Sequence, residues 1–166
     1  MKKNKIKSLL IEFLKLFVIL TIVLNIVSYY KSSDLNKEQL NLSSFSLVDG
    51  SEFTIEKDKP ILIHFWATWC PICKLEAPNI KTISKDYQVI TIATQSGNDT
   101  ELLQYIQKNN LNFKVMNDES GYYANSFNIK GYPTTLIYDK DGNHKFSEVG
   151  YTSTLGLYVR MFLAQY

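Results

Sequence analysis

The feature that most constrains this chain is the segment Trp69-Cys70-Pro71-Ile72-Cys73, which contains its only two cysteines. The segment directly follows the apolar run from Ile61 to Trp66, which predicts a buried strand leading into a helix. At a helix N-terminus the unpaired backbone N–H groups and the helix dipole favour negative charge, so the first cysteine ionises more readily than a free thiol. The pattern therefore predicts a redox-active pair with Cys70 as the nucleophile.

Half of a zinc site, a static structural disulfide and two buried thiols are the competing interpretations of the cysteine pair. A structural zinc site needs four Cys or His ligands, and the chain offers only His64 and His144 besides the pair. A disulfide that closes so short a loop constrains the unfolded chain very little. Cys-x-x-Cys after a strand is, in contrast, the arrangement typical of thioredoxin-like redox motifs.

The residues around the pair carry a family resemblance. The segment from Phe65 to Pro78 resembles the active-site segment of the thioredoxin superfamily, and its Cys-x-x-Cys-x-x-Glu-x-Pro ending resembles the membrane-anchored TlpA/ResA-like branch. Residues 123–142 are similar to that branch's helix, Gly-x-Pro-Thr loop, strand and Asp-Gly hairpin, and Phe45 to Ile55 resembles its N-terminal hairpin. The resemblance covers roughly residues 42–166. It implies a protein thiol-disulfide oxidoreductase, for which we expect no cofactor and no metal.

The same resemblance implies roles for residues near the pair. Glu76 is expected to lie by the active site and to assist proton transfer, although a solvated helix carboxylate is the alternative. Tyr132-Pro133 matches the loop that faces the cysteines in this superfamily, where the peptide bond before proline is cis. That proline is expected to keep metal away from the thiols, and the Tyr132 backbone to pair with substrate. The predicted substrate-binding residues are Trp69, Pro71, Ile72, Tyr132 and Pro133.

His64 lies six residues before the first cysteine, where thioredoxins proper carry a buried acid, so the chain departs from the superfamily pattern here. A neutral imidazole beneath Cys73 could accept the proton of the resolving cysteine, because its unperturbed pKa lies near 6.5. A core histidine satisfied by one hydrogen bond is an equally good interpretation. Both hypotheses for His64 stay open at this point.

Residues 1–30 form an appendage with four lysines before an apolar stretch. The uncharged part, Leu16 to Tyr30, has 15 residues, and extending it back to Leu9 gives 22 positions but admits Glu12 and Lys15. A membrane-spanning helix needs about 20 residues. We favour an uncleaved signal anchor over a cleaved signal peptide or a buried helix. The lysine excess places the N-terminus in the cytoplasm and the catalytic domain outside.

The charge of the exported part argues against nucleic-acid binding. Residues 31–166 contain 13 Lys and Arg against 15 Asp and Glu, a net charge of −2, without a basic patch. The expected partners are protein thiols and disulfides, an unidentified redox partner and, through the anchor, the membrane. The direction of electron flow is left open.

The order of the predicted elements implies an α/β fold. A hairpin around Asp49-Gly50 is followed by buried strands at residues 60–66 and 88–94, a short strand at 113–116, a short helix at 119–127 and a second hairpin at 134–149. Together with the helices between them, they predict a thioredoxin-like fold, with a central mixed β-sheet flanked by helices. The predicted organisation is an anchor (1–30), a tether (31–41) and a thioredoxin-like domain (42–166).

Two other functions fit parts of the sequence. A membrane-tethered copper chaperone would use Cys70, Cys73 and one histidine, although such proteins in this superfamily generally show a wider cysteine spacing. A thiol peroxidase is disfavoured, because Thr68 stands at the wrong offset from Cys70 for the usual Thr-x-x pattern.

Overall fold

The computed structural model describes residues 2–166 and the side chains of all of these except residues 2–9, 17, 24 and 29. A five-stranded mixed sheet forms its centre, in the order β5-β4-β3-β6-β7. A separate two-stranded hairpin, β1-β2, precedes it. The strands are β1 Ser44–Ser46, β2 Glu52–Thr54, β3 Ile61–Trp66, β4 Gln88–Thr94, β5 Val115–Asp118, β6 Thr134–Tyr138 and β7 His144–Val149. The helices are α1 Lys2–Ser32, α2 Pro71–Ile83, α3 Asp99–Lys108, α4 Tyr122–Ser126 and α5 Thr154–Leu163.

The central strand β3 is buried along its whole length because both faces of the sheet are covered. It pairs in parallel with β4 and antiparallel with β6. Ile61, Ile63 and Phe65 point to one face, where the hairpin, α4 and Leu35 complete the core. The alternate residues of β3 point to the other face, which α2, α3 and α5 cover.

The turns follow from local sequence. Gly50 has φ +82° in the hairpin turn, a conformation that glycine adopts without steric cost. Helix α3 begins with a capping box, in which the Asn98 side chain accepts from the Glu101 N–H and the Glu101 side chain accepts from the Asn98 N–H. These local signals fix where the first hairpin turns and where α3 begins.

The fold class is confirmed, and the differences lie at polar boundaries. The strand predicted at residues 113–116 is β5, which runs from Val115 to Asp118. The short helix predicted at residues 119–127 is α4, which runs from Tyr122 to Ser126. Asp118 explains both shifts, since its buried carboxylate accepts the N–H groups of Tyr123 and Ala124 and so joins the strand to the helix.

The N-terminal helix also differs from a free appendage. Leu10–Ser32 is long and apolar enough to cross a membrane. The helix continues beyond residue 30, however, and Ser32 and Leu35 are buried against the domain. The segment predicted as a polar tether therefore begins within the last residues of α1 and contacts the domain core through Leu35.

Candidate active site

Cys70 and Cys73 lie where β3 ends and α2 begins. Cys70 is the N-cap residue of α2, and its Sγ accepts a hydrogen bond from the backbone N–H of Cys73 at 3.1 Å. Pro71 occupies the first turn, where its missing N–H would otherwise have no helical partner. The first cysteine therefore meets the positive end of the helix, as the sequence predicted.

The two cysteines form a disulfide whose Cα atoms are 5.3 Å apart. Both residues are only 4% exposed. What distinguishes them is their neighbours, because Cys70 lies between exposed residues at the carboxyl end of β3, whereas Cys73 lines a pocket between α2 and α3. The pair can accept two electrons and open to a dithiol.

An apolar rim surrounds Cys70. Trp69 is 59% exposed and Ile72 is 43% exposed. The Trp69 indole N–H donates to the Gln95 carbonyl at 3.1 Å, which fixes the ring. Trp66, by contrast, is buried and donates to Thr91 Oγ1, so it is a core residue as expected.

The Tyr132-Pro133 loop, which precedes β6, reaches the same site from the strand beside β3. The peptide bond between these residues is cis, as predicted. The Tyr132 ring meets the Trp69 ring edge-on with centroids 5.6 Å apart, and it packs against the cluster that contains both cysteines. Burial raises the pKa of the Tyr132 hydroxyl, so the ring stays neutral at neutral pH.

Glu76 is fully buried, which excludes the solvated-carboxylate interpretation. Its Oε1 accepts the Thr152 N–H at 3.2 Å, while Oε2 has no hydrogen-bond partner among the described residues. Burial raises the pKa of Glu76 to about 8; the Thr152 hydrogen bond opposes this, and the charge of Glu148 adds to it. Glu76 is therefore a carboxyl group that can gain or lose a proton near neutral pH.

His64 lies beneath α2 and is also buried. Its Nδ1 is 2.9 Å from Thr135 Oγ1. Burial lowers the pKa of His64 to about 3, so the imidazole is neutral at neutral pH. His64, Trp66 and Cys73 line one cavity of about 320 Å³ between α2 and α3.

The sheet register extends this polar environment sideways. His64 pairs with Thr91 on one side and Thr135 on the other, and Thr135 pairs with Glu148 of β7. Because residues in register share a face, these four side chains form a polar row under α2. Glu148 ends the row in an ion pair with Arg160 of α5.

Comparison with known proteins identifies the family. The AhpC/TSA family matches residues 34–146, about two thirds of the chain. A thioredoxin-like protein from Haemophilus influenzae is 33% identical over 166 residues, which cover 98% of each chain. The chain belongs to the AhpC/TSA family. The predicted resemblance to the thioredoxin superfamily is thereby confirmed.

Solved structures agree with this thioredoxin-like family assignment. A secreted Mycobacterium tuberculosis disulfide oxidoreductase is 26% identical, with a TM-score of 0.62 over 72% of this chain and 94% of that one. StoA from Bacillus subtilis, at 22% identity, shares the fold with a TM-score of 0.64 over 70% of this chain and 93% of that one. The chain is a thiol-disulfide oxidoreductase of the thioredoxin superfamily.

The copper-chaperone alternative finds little support in this AhpC/TSA chain. His144 starts β7 and pairs with Tyr138, which in turn pairs with Ile61. Ile61 begins β3, so His144 lies at the opposite end of the strands from Cys70. The Nδ1 of His64 is already engaged with Thr135. Among the described side chains, no three His, Cys, Asp or Glu residues group as metal ligands.

Two residues of this site, Glu148 and Thr135, were not predicted from the sequence. Thr135 stands two positions after Pro133, and the alternation of β6 puts it on the α2 face. Phe146 and Glu148 alternate in β7 in the same way, which could have placed an acid on the buried face. The sequence gives no sign, however, that this face meets Glu76.

Proposed function

We propose that this protein is a membrane-anchored, extracytoplasmic enzyme that exchanges disulfides with protein substrates through Cys70 and Cys73. One observation carries the proposal: Cys70 Sγ accepts the Cys73 N–H at the start of α2, with Cys73 placed one turn inward. A helix N-terminus stabilises the thiolate that exchange requires.

The proposed reaction has two steps. The Cys70 thiolate attacks one sulfur of a partner disulfide, forms a mixed disulfide and releases the other partner sulfur as a thiolate. Cys73 then loses its proton and attacks Cys70 Sγ, which releases the second partner sulfur. Two electrons pass from the pair to the partner, and the reverse sequence oxidises a dithiol partner.

Glu76 is proposed to exchange the proton of Cys73. It lies one helical turn after Cys73, is buried, and has a carboxyl oxygen without a hydrogen-bond partner among the described residues. Its pKa of about 8 is matched to a proton transfer near neutral pH. His64 is proposed to be a positioning residue that stays neutral, because a pKa of about 3 makes it a poor proton acceptor.

Substrate binding is proposed for the rim of Trp69, Pro71 and Ile72 and for the loop of Tyr132 and Pro133. Trp69 and Ile72 offer exposed apolar surface beside Cys70. The loop closes the opposite side of the site, where Trp69 and Tyr132 meet. An extended partner segment that carries a cysteine is proposed to lie over Cys70, along this rim and beside the loop.

The extracytoplasmic location is proposed from the N-terminal helix. Leu10–Ser32 is apolar enough to cross a membrane, and lysines precede it. A related solved structure is described as secreted, and another as an exposed lipoprotein thioredoxin of Streptococcus pneumoniae. An oxidising compartment also suits a disulfide enzyme.

Trapping tests the chemistry. The Cys73→Ser variant should accumulate mixed disulfides with its partners that dithiothreitol releases, because the resolving thiol is gone. The Cys70→Ser variant is the matched control and should trap nothing. Equal trapping by both variants, or none together with no turnover of insulin by the wild type, would refute the proposal.

A second experiment tests the location and the direction of electron flow. A membrane-impermeant maleimide should label reduced Cys70 in intact cells. Labelling only after permeabilisation would contradict the outside location. Equilibration of the full chain in detergent with glutathione buffers then gives the reduction potential, which decides between reductase and oxidase roles.

A further inference from the structure

The last turn of α1 is joined to the edge strand β7. The Ser28 hydroxyl donates to Glu148 Oε2 at 2.9 Å and accepts the Val149 N–H at 3.0 Å. Ser28 is 8% exposed, whereas the preceding Val27 is 45% exposed. The helix therefore docks on the catalytic domain and does not lead to it through a free linker.

The docking contacts also give the direction of α1. Ser28 meets the carboxyl end of β7, while twelve residues later Leu40 donates its N–H to the carbonyl of Gly142, in the turn that precedes β7. Gln39 bonds the Asp141 carbonyl in the same turn. Residues 28–40 thus run antiparallel to β7, and the part of α1 before Ser28 leaves the sheet beyond the carboxyl end of that strand.

That end of the sheet is also the one that carries the cysteines. Strands β3 and β7 are both antiparallel to β6 and so are parallel to each other. Phe65 pairs with Thr134, and Thr134 pairs with Val149. Phe65 and Val149 therefore lie two strand spacings apart, about 10 Å. The apolar helix and the Cys70 loop leave the domain side by side.

Some of the domain's exposed apolar side chains lie at this end of the sheet, and others, such as Val159, Phe162 and Tyr166, follow α5 to the C-terminus. Besides Trp69 and Ile72, Tyr151 is 56% exposed just after β7, and Leu155 is 74% exposed in the first turn of α5. Single exposed apolar residues are ordinary, but a group of them beside an apolar helix marks an interaction surface. Trp and Tyr are the residues enriched where protein meets the membrane interface.

We propose that the active-site end of the domain faces the bilayer and that Trp69, Ile72, Tyr151 and Leu155 lie at the lipid headgroup region whenever no partner segment occupies the rim. The lipid surface is the occupant because the apolar part of α1, which ends within one turn of Ser28, leaves the domain at the same end as the rim. This inference rests on the proposed membrane anchoring. It makes Cys70 an enzyme thiol that works on cysteines presented at the membrane surface.

Tryptophan quenching by brominated lipids tests the inference, since Trp66 is buried and Trp69 is the exposed one. The full chain is reconstituted in phosphatidylethanolamine and phosphatidylglycerol vesicles with bromines either near the headgroup or at the acyl end. The Trp66→Phe variant reports Trp69 alone, and the matched Trp69→Phe variant reports Trp66. Should Trp66→Phe fail to fold, the difference between wild type and Trp69→Phe isolates the same signal.

We expect shallow bromines to quench Trp69 at least about twofold more than Trp66, and more than deep bromines do. Ser28→Ala, which removes both docking bonds, should lower the Trp69 quenching. Ser33→Ala is the matched control, because the Ser33 hydroxyl bonds only within the local chain, to Tyr30 and Asp34. The control should leave the quenching unchanged.

Unquenched Trp69 in a chain that still floats with the vesicles would refute the rim contact while leaving the anchor intact. If that unquenched Trp69 becomes shielded from aqueous iodide only at high protein density, the surface belongs to a second copy. If the shielding requires native membrane extract, the surface belongs to a membrane protein. A chain that does not float at all refutes the anchoring itself, whereas glutathione-disulfide turnover tests the dithiol separately.

Discussion

Cys70 and Cys73 are equally buried, yet they lie in opposite surroundings. Cys70 stands at the carboxyl end of β3, between the exposed side chains of Trp69 and Ile72, and its sulfur accepts the Cys73 N–H. Cys73 lines a partly open pocket with the buried His64, and the buried Glu76 follows it by one turn. Their neighbouring residues, and not their exposure, therefore support the proposed roles of Cys70 as attacking thiol and Cys73 as resolving thiol.

The N-terminus of α2 determines the surroundings of Cys70, which we call the edge side. Buried titratable groups determine the surroundings of Cys73, which we call the inner side. Burial moves the pKa values of Glu76 and His64 in opposite directions, to about 8 and about 3, because it disfavours the charged form of each. Both groups are therefore uncharged near pH 6. At that pH neither of these two buried groups places a charge beside Cys73, while the N-terminus of α2 stabilises an anion at Cys70.

The largest expected effect concerns stability on the inner side. Folding raises the pKa of Glu76 from 4.5 to about 8, so its stabilising contribution is complete below pH 4.5 and is lost as pH rises through 8. Glu76→Gln should remove this loss of stability at alkaline pH, which amounts to several kcal/mol at about 1.4 kcal/mol per pKa unit. Urea unfolding between pH 5 and pH 9 measures it.

The dependence of the free energy of unfolding on pH in the acid range, the acid branch, provides the internal control for that experiment. Folding lowers the pKa of His64 from 6.5 to about 3, so its contribution is present above pH 6.5 and is lost as pH falls towards 3. His64→Gln should flatten this acid branch and leave the alkaline one. A Glu76→Gln variant with an unchanged alkaline branch would show that Glu76 is charged in the folded protein.

The next effect concerns the rate of the resolving step. Glu76→Gln should slow the attack of Cys73 on the mixed disulfide by roughly 100-fold, the low end of what a positioned acid-base group contributes. The wild-type rate should rise with pH through an inflection near 8, and the variant should lack it. Stopped-flow release of a fluorescent thiol measures the step, with Glu119→Gln, an exposed carboxylate, as the control. A rate within the error of the wild type would contradict the role of Glu76.

A smaller effect tests the edge side. In the reduced chain at pH 7, iodoacetamide should modify Cys70 roughly 10-fold faster than Cys73, because the helix N-terminus favours its thiolate. Mass spectrometry of partly modified protein gives both rates at once. Equal rates would mean that the surroundings do not distinguish the two thiols.

The sequence predicts some parts of this comparison better than others. The apolar run of β3 and the Cys-x-x-Cys spacing define the edge side, since strand, cap and first turn are local features. The burial of Glu76 could not be predicted, because its cover comes from Thr152, 76 residues further along. The docking of Ser28 on Glu148 spans 120 residues and gives no local signal, so the segment after the anchor looks like a plain polar tether.

The smallest expected effect links the two regions through Glu148. Its charge is the last of the three influences on the pKa of Glu76, after burial and the Thr152 hydrogen bond. Glu148→Gln should therefore move the inflection of the resolving rate only slightly, towards lower pH. Arg160→Gln should move it the other way, because Arg160 is the cation paired with Glu148. Shifts of the same sign in both variants would indicate a general loosening of α5 and not an electrostatic effect. Opposite signs would establish that the end of the polar row adjusts the proton carrier behind Cys73.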